Sequence, residues 1–299
     1  TQVSTDTRTI QSGDLFVALS GPNFDARKFL PVAKDEGAIA AIVETGLAAQ
    51  ADKKQNEALN ILCVADTRKA FGQLAAINRQ RFQGCAVGIT GSCGKTTVKK
   101  MVATILQEVG DVLATKGNLN NEIGVPITLL SISDKHKYAV VEMGASAPGE
   151  ISYLADLVSP DIAVITNAGN AHLEGFGSVE AIAKEKGSLY DALSGEGVAV
   201  INLDDVNALS WLGQVKDKSH LTFSLSNSDA SVFASDISMD TDNRNSFDLH
   251  YQDEMIKLIK KLNLSAEIKV IKNPPRDDVI SAYGESEFLI LPSKSTAFK

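Results

Sequence analysis

Residues 86–100 read AVGITGSCGKTTVKK, an apolar run that enters a short turn and leaves it on a lysine and two threonines. Gly91, Ser92, Cys93 and Gly94 are small enough to turn tightly and aim several backbone N–H groups inward. A helix beginning near Lys95 adds the positive end of its dipole. This order of residue types suits a phosphate. Lys95 would bridge the outer phosphates, while the Thr96 hydroxyl, with Thr97 beside it, would face Mg²⁺. The spacing departs from G-x-x-x-x-G-K-[ST], because Ile89 stands where the first glycine belongs and Gly88 sits one place early. On this stretch alone, a phosphate site and a Gly-rich strand-to-helix turn with a surface lysine both remain open.

Three other apolar runs end on polar residues. YAVVEMG ends on Glu142, DIAVITN on Asn167 with His172 shortly after, and GVAVINLDD on Asp204 and Asp205. In a parallel sheet the carboxyl ends of the strands share one edge, where open α/β proteins bind ligands. Glu142 and His172 are therefore expected to gather around phosphates held by Lys95. Taken singly, each has a plain alternative, as a loop carboxylate and a solvated or capping histidine.

The elements that must position these groups follow from the alternation of strand and helix patterns along almost the whole chain, which specifies an α/β fold with mostly parallel sheets. Residues 1–82 read as a small α/β domain, with strands at DLFVAL, AIAAIVE and NILCVAD and helices near 26–36 and 67–81. After RFQG a second series, 83–250, carries AVGIT, YAVVEMG, DIAVITN and GVAVINLDD as strands of a P-loop-type central domain, apolar enough to be covered on both faces. With 299 residues there is length for two or three domains. The net charge of −8 argues against a general nucleic-acid surface. No apolar run approaches the roughly 18 residues of a membrane span, and TQVSTDTRTI has no signal-peptide pattern. Cys63, Cys85 and Cys93 lack metal spacing and fit a reducing, cytoplasmic setting without disulfides.

GITGSCGKTT, TKGNLNNEIGVPITLL, AVVEMGA, ITNAGNAHLEGFGS and AIAKEKGSLY together resemble the Mur ligase family in order and spacing, over residues 3–250. The shortened phosphate-loop spacing is that family's usual form. VSTDTRTIQSGDLFVALSGPNFDARKFL is similar to its amino-terminal UDP-binding domain, although Ala26-Arg27 stands where members commonly carry Gly-His. The resemblance implies ATP-dependent amide synthesis for peptidoglycan and cell-wall biogenesis, in the branch that joins D-alanyl-D-alanine to UDP-N-acetylmuramoyl tripeptide through an acyl phosphate, with the chain expected to be a monomer. It implies catalytic roles for Lys95, Glu142, His172 and Lys186, and nucleotide contacts from Gly91 to Thr97. It further implies substrate contacts from Ser4, Thr5, Asp6, Thr7, Arg8, Asn118, Asn120 and Asn121, with Thr96, Glu142, His172 and a carbamylated Lys186 around Mg²⁺. Counting back four residues from Tyr190 in the family's K-x-x-[IL]-[YF] pattern selects Lys186, with Lys184 as runner-up. From the residues alone, either is a solvated helical lysine pairing with Glu180 or Glu185.

Residues 251–299 depart from this pattern. They read as helix EMIKLIKKLNL, strand AEIKVIK, helix RDDVISAYGES and strand EFLILPS, a short α/β segment resembling part of a family 4 GT-B glycosyltransferase. The family's usual third domain is expected to be absent and ligation by this chain impaired. Two alternatives are a non-catalytic nucleotide- or UDP-sugar-binding fragment and another amino-acid-adding Mur ligase.

Overall fold

Period-two alternation in the first strands decides how the amino-terminal part packs. The computed structural model describes residues 2–21, 24–45, 59–171, 173–239 and 245–251. The chain divides into two compact units, Thr1–Gln83 with Thr115–Asp134, and Gly84–Ala114 with Lys135–Lys299. In the first unit, β1 (Val3–Ser4), β2 (Leu15–Val17), β5 (Ala40–Glu44) and β6 (Asn60–Val64) form a parallel sheet in the order β1-β2-β5-β6, while β3 (Ser20–Gly21) and β4 (Phe24–Asp25) form a small antiparallel pair. Successive strand residues point to opposite faces. Phe16, Ala41 and Val43 therefore pack with Leu30 and Ala33, while Val17 and Ile42 pack with Phe71 on the other side.

The expected helix over 26–36 is divided. Ala26–Phe29 is a 3₁₀ turn capped by Asp25, and the α-helix Leu30–Asp35 begins with Pro31 in its first turn, where a missing N–H costs nothing. Residues Thr115–Asp134, read from sequence as part of 83–250, instead belong to the first unit. The reason is apolar. Ile123, Ile127 and Leu130 of the segment carrying helix Gly124–Leu130 join the Val17, Ile42 and Phe71 cluster. Asn78 Nδ2, on helix Thr67–Arg81, donates to the carbonyls of Leu129 at 2.8 Å and Ile132 at 3.2 Å.

Among the described residues the second unit is built on one sheet of eight strands: β7 (Cys85–Thr90), β8 (Val112–Ala114), β9 (Tyr138–Glu142), β10 (Ile162–Ile165), β11 (Val198–Asn202), β12 (Ser219–Ser224), β13 (Val232–Met239) and β14 (Asn245–Tyr251). Their order is β14-β13-β12-β11-β10-β7-β9-β8, parallel except for the β13–β14 pair. On one face Val87 and Ile89 pack with Ala103 of helix Lys95–Gln107 and with Val140. The other face is closed so tightly that a Cβ at Gly88 would lie 2.9 Å from Met143 Cε and 3.2 Å from Leu189 Cδ1. Leu189 belongs to helix Val179–Asp191, whose Tyr190 meets Trp211 edge-to-face and donates to the Val200 carbonyl at 2.8 Å. β7 lies between β9 and β10. The chain leaves β7 toward β8 and leaves β10 toward β11, in opposite directions, so a crevice forms where those two carboxyl ends part.

Candidate nucleotide site

At the end of β7 the backbone must reverse into a helix within four residues, and two glycines make this possible. Gly91 has φ +152°, and a Cβ there would sit 1.9 Å from Thr166 Oγ1. Gly94, with φ +81°, occupies the left-handed region as the cap of helix Lys95–Gln107. The turn is held by the loop that follows β10. Ser92 N–H donates to the Asn167 carbonyl at 2.9 Å, and Cys93 N–H to Asn167 Oδ1 at 3.0 Å. The Cys93 carbonyl accepts from Thr166 Oγ1 at 2.6 Å and Asn167 Nδ2 at 3.1 Å. Ser92 Oγ donates to the Gly169 carbonyl at 3.0 Å and accepts from the Gly169 N–H at 2.9 Å.

Ser92 and Cys93 thus spend their N–H groups on Asn167, contrary to the inward aim read from sequence. The groups suited to an anion are the first-turn amides from Gly94 to Thr97, which have no intrahelical acceptor. Lys95 Nζ folds back over the turn and donates to the Gly91 carbonyl at 2.7 Å. An apolar groove of about 750 Å³ adjoins the turn, lined by Cys93, Gly94, Val98 and, from the sheet, Val164, Val200 and Phe223.

Glu142 ends β9 beside this turn. Thr96 Oγ1 donates to Glu142 Oε1 at 3.2 Å, and Lys99 Nζ lies 3.0 Å from Oε2. The Lys99 and Glu142 side chains are 5% and 2% exposed, so this ion pair is almost wholly removed from water. Lys186, on the neighbouring helix, is also buried. Burial first, and then the ammonium of Lys95, lower its amine from 10.5 to about 8, against a smaller opposing pull from Glu185 and Cys93. Lys184 is exposed. Glu185 does not pair with a lysine in the manner read from sequence; its carboxylate accepts N–H bonds from Gly149 at 2.8 Å and Ile151 at 2.7 Å, at the start of helix Glu150–Val158. His172 lies outside the described residues, as do residues 252–299.

The donor set can be tested for Mg²⁺. Among the described residues no group of three or more His, Cys, Asp or Glu could hold a metal by itself. A hydroxyl and one carboxylate are nonetheless what Mg²⁺ takes from a protein when phosphates and waters complete its octahedron. Thr96 and Glu142 fit that role.

The remaining predicted contacts lie in the first unit. Ser4 ends β1, and Asp6 caps the 3₁₀ turn Thr7–Thr9. Arg8, exposed, is tied to Asp6 through Nε at 2.9 Å and Nη2 at 2.5 Å, which holds the Asp6 carboxyl down at about 2. Thr5 and Thr7 are half-buried. Arg27, at the departure from Gly-His, repeats this geometry with Asp25, donating from Nε at 2.8 Å. Asn118 is exposed, and the Asn120 N–H donates to its carbonyl at 2.7 Å. Asn121 Oδ1 accepts from the N–H groups of Ile123 and Gly124 at 3.2 and 2.9 Å, so its side chain serves the start of helix Gly124–Leu130.

Sequence reasoning missed Thr166, Gly169 and Lys99. Asn167 was legible only as a strand end. Lys99 carried one available signal, its position one turn beyond Lys95 on the same helix.

Comparison with known proteins gives a common answer. The Mur ligase middle domain matches residues 89–271. The chain is 45% identical over 222 residues to the UDP-N-acetylmuramoyl-tripeptide–D-alanyl-D-alanine ligase of Escherichia coli, a match spanning 74% of this chain and 47% of that one. It therefore spans about half the length of the curated relatives it matches. A crystal structure of MurF from Acinetobacter baumannii superposes with a TM-score of 0.76 at 32% identity, covering 96% of this chain and 63% of that one. A MurF ligase from Thermotoga maritima in complex with ADP gives 0.71 at 28% identity, over 85% and 56%. The domain match extends into the segment after residue 250, and the glycosyltransferase resemblance expected there is not borne out.

Proposed function

Because this chain belongs to the Mur ligase family, we propose that it supplies the nucleotide-handling part of an ATP-dependent ligase joining D-alanyl-D-alanine to UDP-N-acetylmuramoyl tripeptide. The observation that carries this reading is the clamped turn from Gly91 to Lys95 with Thr96 and Glu142 beside it. In the proposed reaction the terminal carboxylate of the tripeptide attacks the γ-phosphate of ATP, ADP leaves, and the amine of D-alanyl-D-alanine displaces phosphate from the acyl phosphate. An anion must approach a polyanion, so fixed positive groups dominate the catalysis.

Lys95 and the first-turn amides would hold the outer phosphates. Lys95 must swing from the Gly91 carbonyl to do so, at little cost, because a charged phosphate oxygen replaces a neutral acceptor. Thr96 and Glu142 would hold Mg²⁺, which supplies charge neutralisation at the phosphates when bound. A lowered Lys186 amine is more often in the neutral form that reacts with CO₂, and the resulting carbamate would turn a repelled cation into an oxygen ligand for the metal, with His172 kept as a further ligand on the family resemblance alone. Ser4 to Arg8, with Asn118, Asn120 and Asn121, would face the UDP-linked substrate. The reading takes the chain as a cytoplasmic monomer. Among the described residues no helix is long and apolar enough to cross a membrane.

Calorimetric titration tests the reading. The chain should bind ADP in Mg²⁺ and, separately, UDP-N-acetylmuramoyl tripeptide. Failure to bind the nucleotide would overturn the phosphate site, and failure to bind the tripeptide would overturn the substrate assignment.

A further inference from the structure

Lysines 99 and 100 are adjacent in sequence but differ in environment. Lys100 is exposed, whereas the Lys99 side chain is 5% exposed and its Nζ lies 3.0 Å from Glu142 Oε2. The other carboxylate oxygen, Oε1, accepts from Thr96 Oγ1 at 3.2 Å. The two oxygens of one buried carboxylate are therefore assigned to different partners, one to a fixed cation and one to the turn that would hold the phosphates.

We propose that Lys99 is a specificity-determining residue that leaves Glu142 a single oxygen to offer a divalent cation, favouring Mg²⁺ over Ca²⁺. The inference rests on the reading of Thr96 and Glu142 as the metal-facing pair. The ammonium is a fixed positive charge with no acceptor, so its ion pair with Oε2 repels a second cation there. Approach is confined to Oε1. Mg²⁺ accepts this readily, because it takes one oxygen from each of one or two carboxylates within a strict octahedron. Ca²⁺ is larger, takes six to eight oxygens and gains from grasping both oxygens of a carboxylate. The same ammonium fixes the carboxylate plane before any ion arrives, which suits the ion with the stricter geometry. In this account Lys99 is a positioning residue that acts through Glu142.

The test uses the 299-residue chain, with ADP binding measured calorimetrically in Mg²⁺ or in Ca²⁺ as the sole divalent ion, and melting curves recorded in neither. The wild type should bind ADP more tightly in Mg²⁺. Lys99→Met should lower the Mg²⁺-to-Ca²⁺ affinity ratio about tenfold, chiefly by strengthening binding in Ca²⁺. Lys99→Gln, which removes the charge but keeps an N–H donor, should give an intermediate ratio, and it decides the matter if Lys99→Met does not melt cooperatively. Lys100→Met should leave the ratio unchanged, which a general loss of surface charge would not. An unchanged ratio in the cooperatively melting Lys99 variant overturns the inference alone. A wild type whose ADP binding ignores both ions overturns the metal reading and the inference with it.

Discussion

The Lys186 amine, buried on the helix beside the phosphate turn, is brought down to about 8 by burial first and then by the ammonium of Lys95, whose Nζ is bonded to the Gly91 carbonyl of that turn. Between about 8 and 10.5 the unfolded chain holds a proton on this lysine that the folded chain has released, so stability must rise with pH across that window. The shift corresponds to about 3 kcal/mol of penalty below pH 8. In metal-free, CO₂-depleted buffer, Lys186→Met should therefore stabilise the chain at pH 7 and flatten the rise between pH 8 and 10.5. Denaturant melts of both proteins across this range give the answer, and parallel slopes would reject the account.

Carbamylation of the same amine is expected once CO₂ is supplied. A ¹³C-labelled bicarbonate solution should give a carbamate resonance in the wild type that is missing from Lys186→Met and retained in Lys184→Met. Retention of that resonance in Lys186→Met would move the modification elsewhere.

Lys95→Ala should lose the nucleotide without losing the fold, because the side chain is half-buried and its hydrogen bond closes only a local turn. The loss of one such charge costs about 10² to 10³ in phosphoryl-transfer rate. ADP titration and a melting curve on the same sample distinguish a lost ligand from a lost fold.

Gly91→Ala and Gly94→Ala form a paired test of the turn. Both glycines lie at positive φ, but a Cβ at Gly94 meets nothing within 4 Å, whereas one at Gly91 would lie 1.9 Å from a Thr166 hydroxyl already bound to Cys93. Gly94→Ala should cost about 1 to 2 kcal/mol, the usual penalty of a left-handed residue with a side chain. Gly91→Ala should cost more and abolish ADP binding. Equal losses would mean that the clamp is softer than its hydrogen bonds indicate.

Glu185→Ala removes the acceptor for two backbone N–H groups at the start of helix Glu150–Val158. A loss of about 1 to 2 kcal/mol is expected, as for other helix caps, and is read from denaturant midpoints. ADP affinity should change little.

The parts of this molecule legible in its sequence were those written locally. AVGIT, YAVVEMG, DIAVITN and GVAVINLDD are short apolar runs with polar ends, and each became a central strand with its polar residue at one edge. The strands SHLTFS and VFASDISM were not recognised, because polar residues interrupt them near the sheet edge, where less burial is required. The docking of Thr115–Asp134 on the first unit depends on Phe71 and Asn78, distant partners that no local pattern announces. Lys99 failed to stand out for the same reason: beside Lys100 it reads as helix surface, and its ion pair with the distant Glu142 is not announced locally.

The central position of β7, hydrogen-bonded to β9 on one side and β10 on the other, sets how the molecule breathes. Its amides bond alternately to one neighbour and the other, so exposing the whole strand requires both pairings to open, and Val87 to Thr90 should exchange hydrogen for deuterium at the slow rate of whole-unit unfolding. β14, which among the described residues pairs with β13 alone, can exchange through local fraying. The phosphate turn is thus attached to the slowest-exchanging strand, and its geometry should survive fluctuations that disorder the far edge of the same sheet.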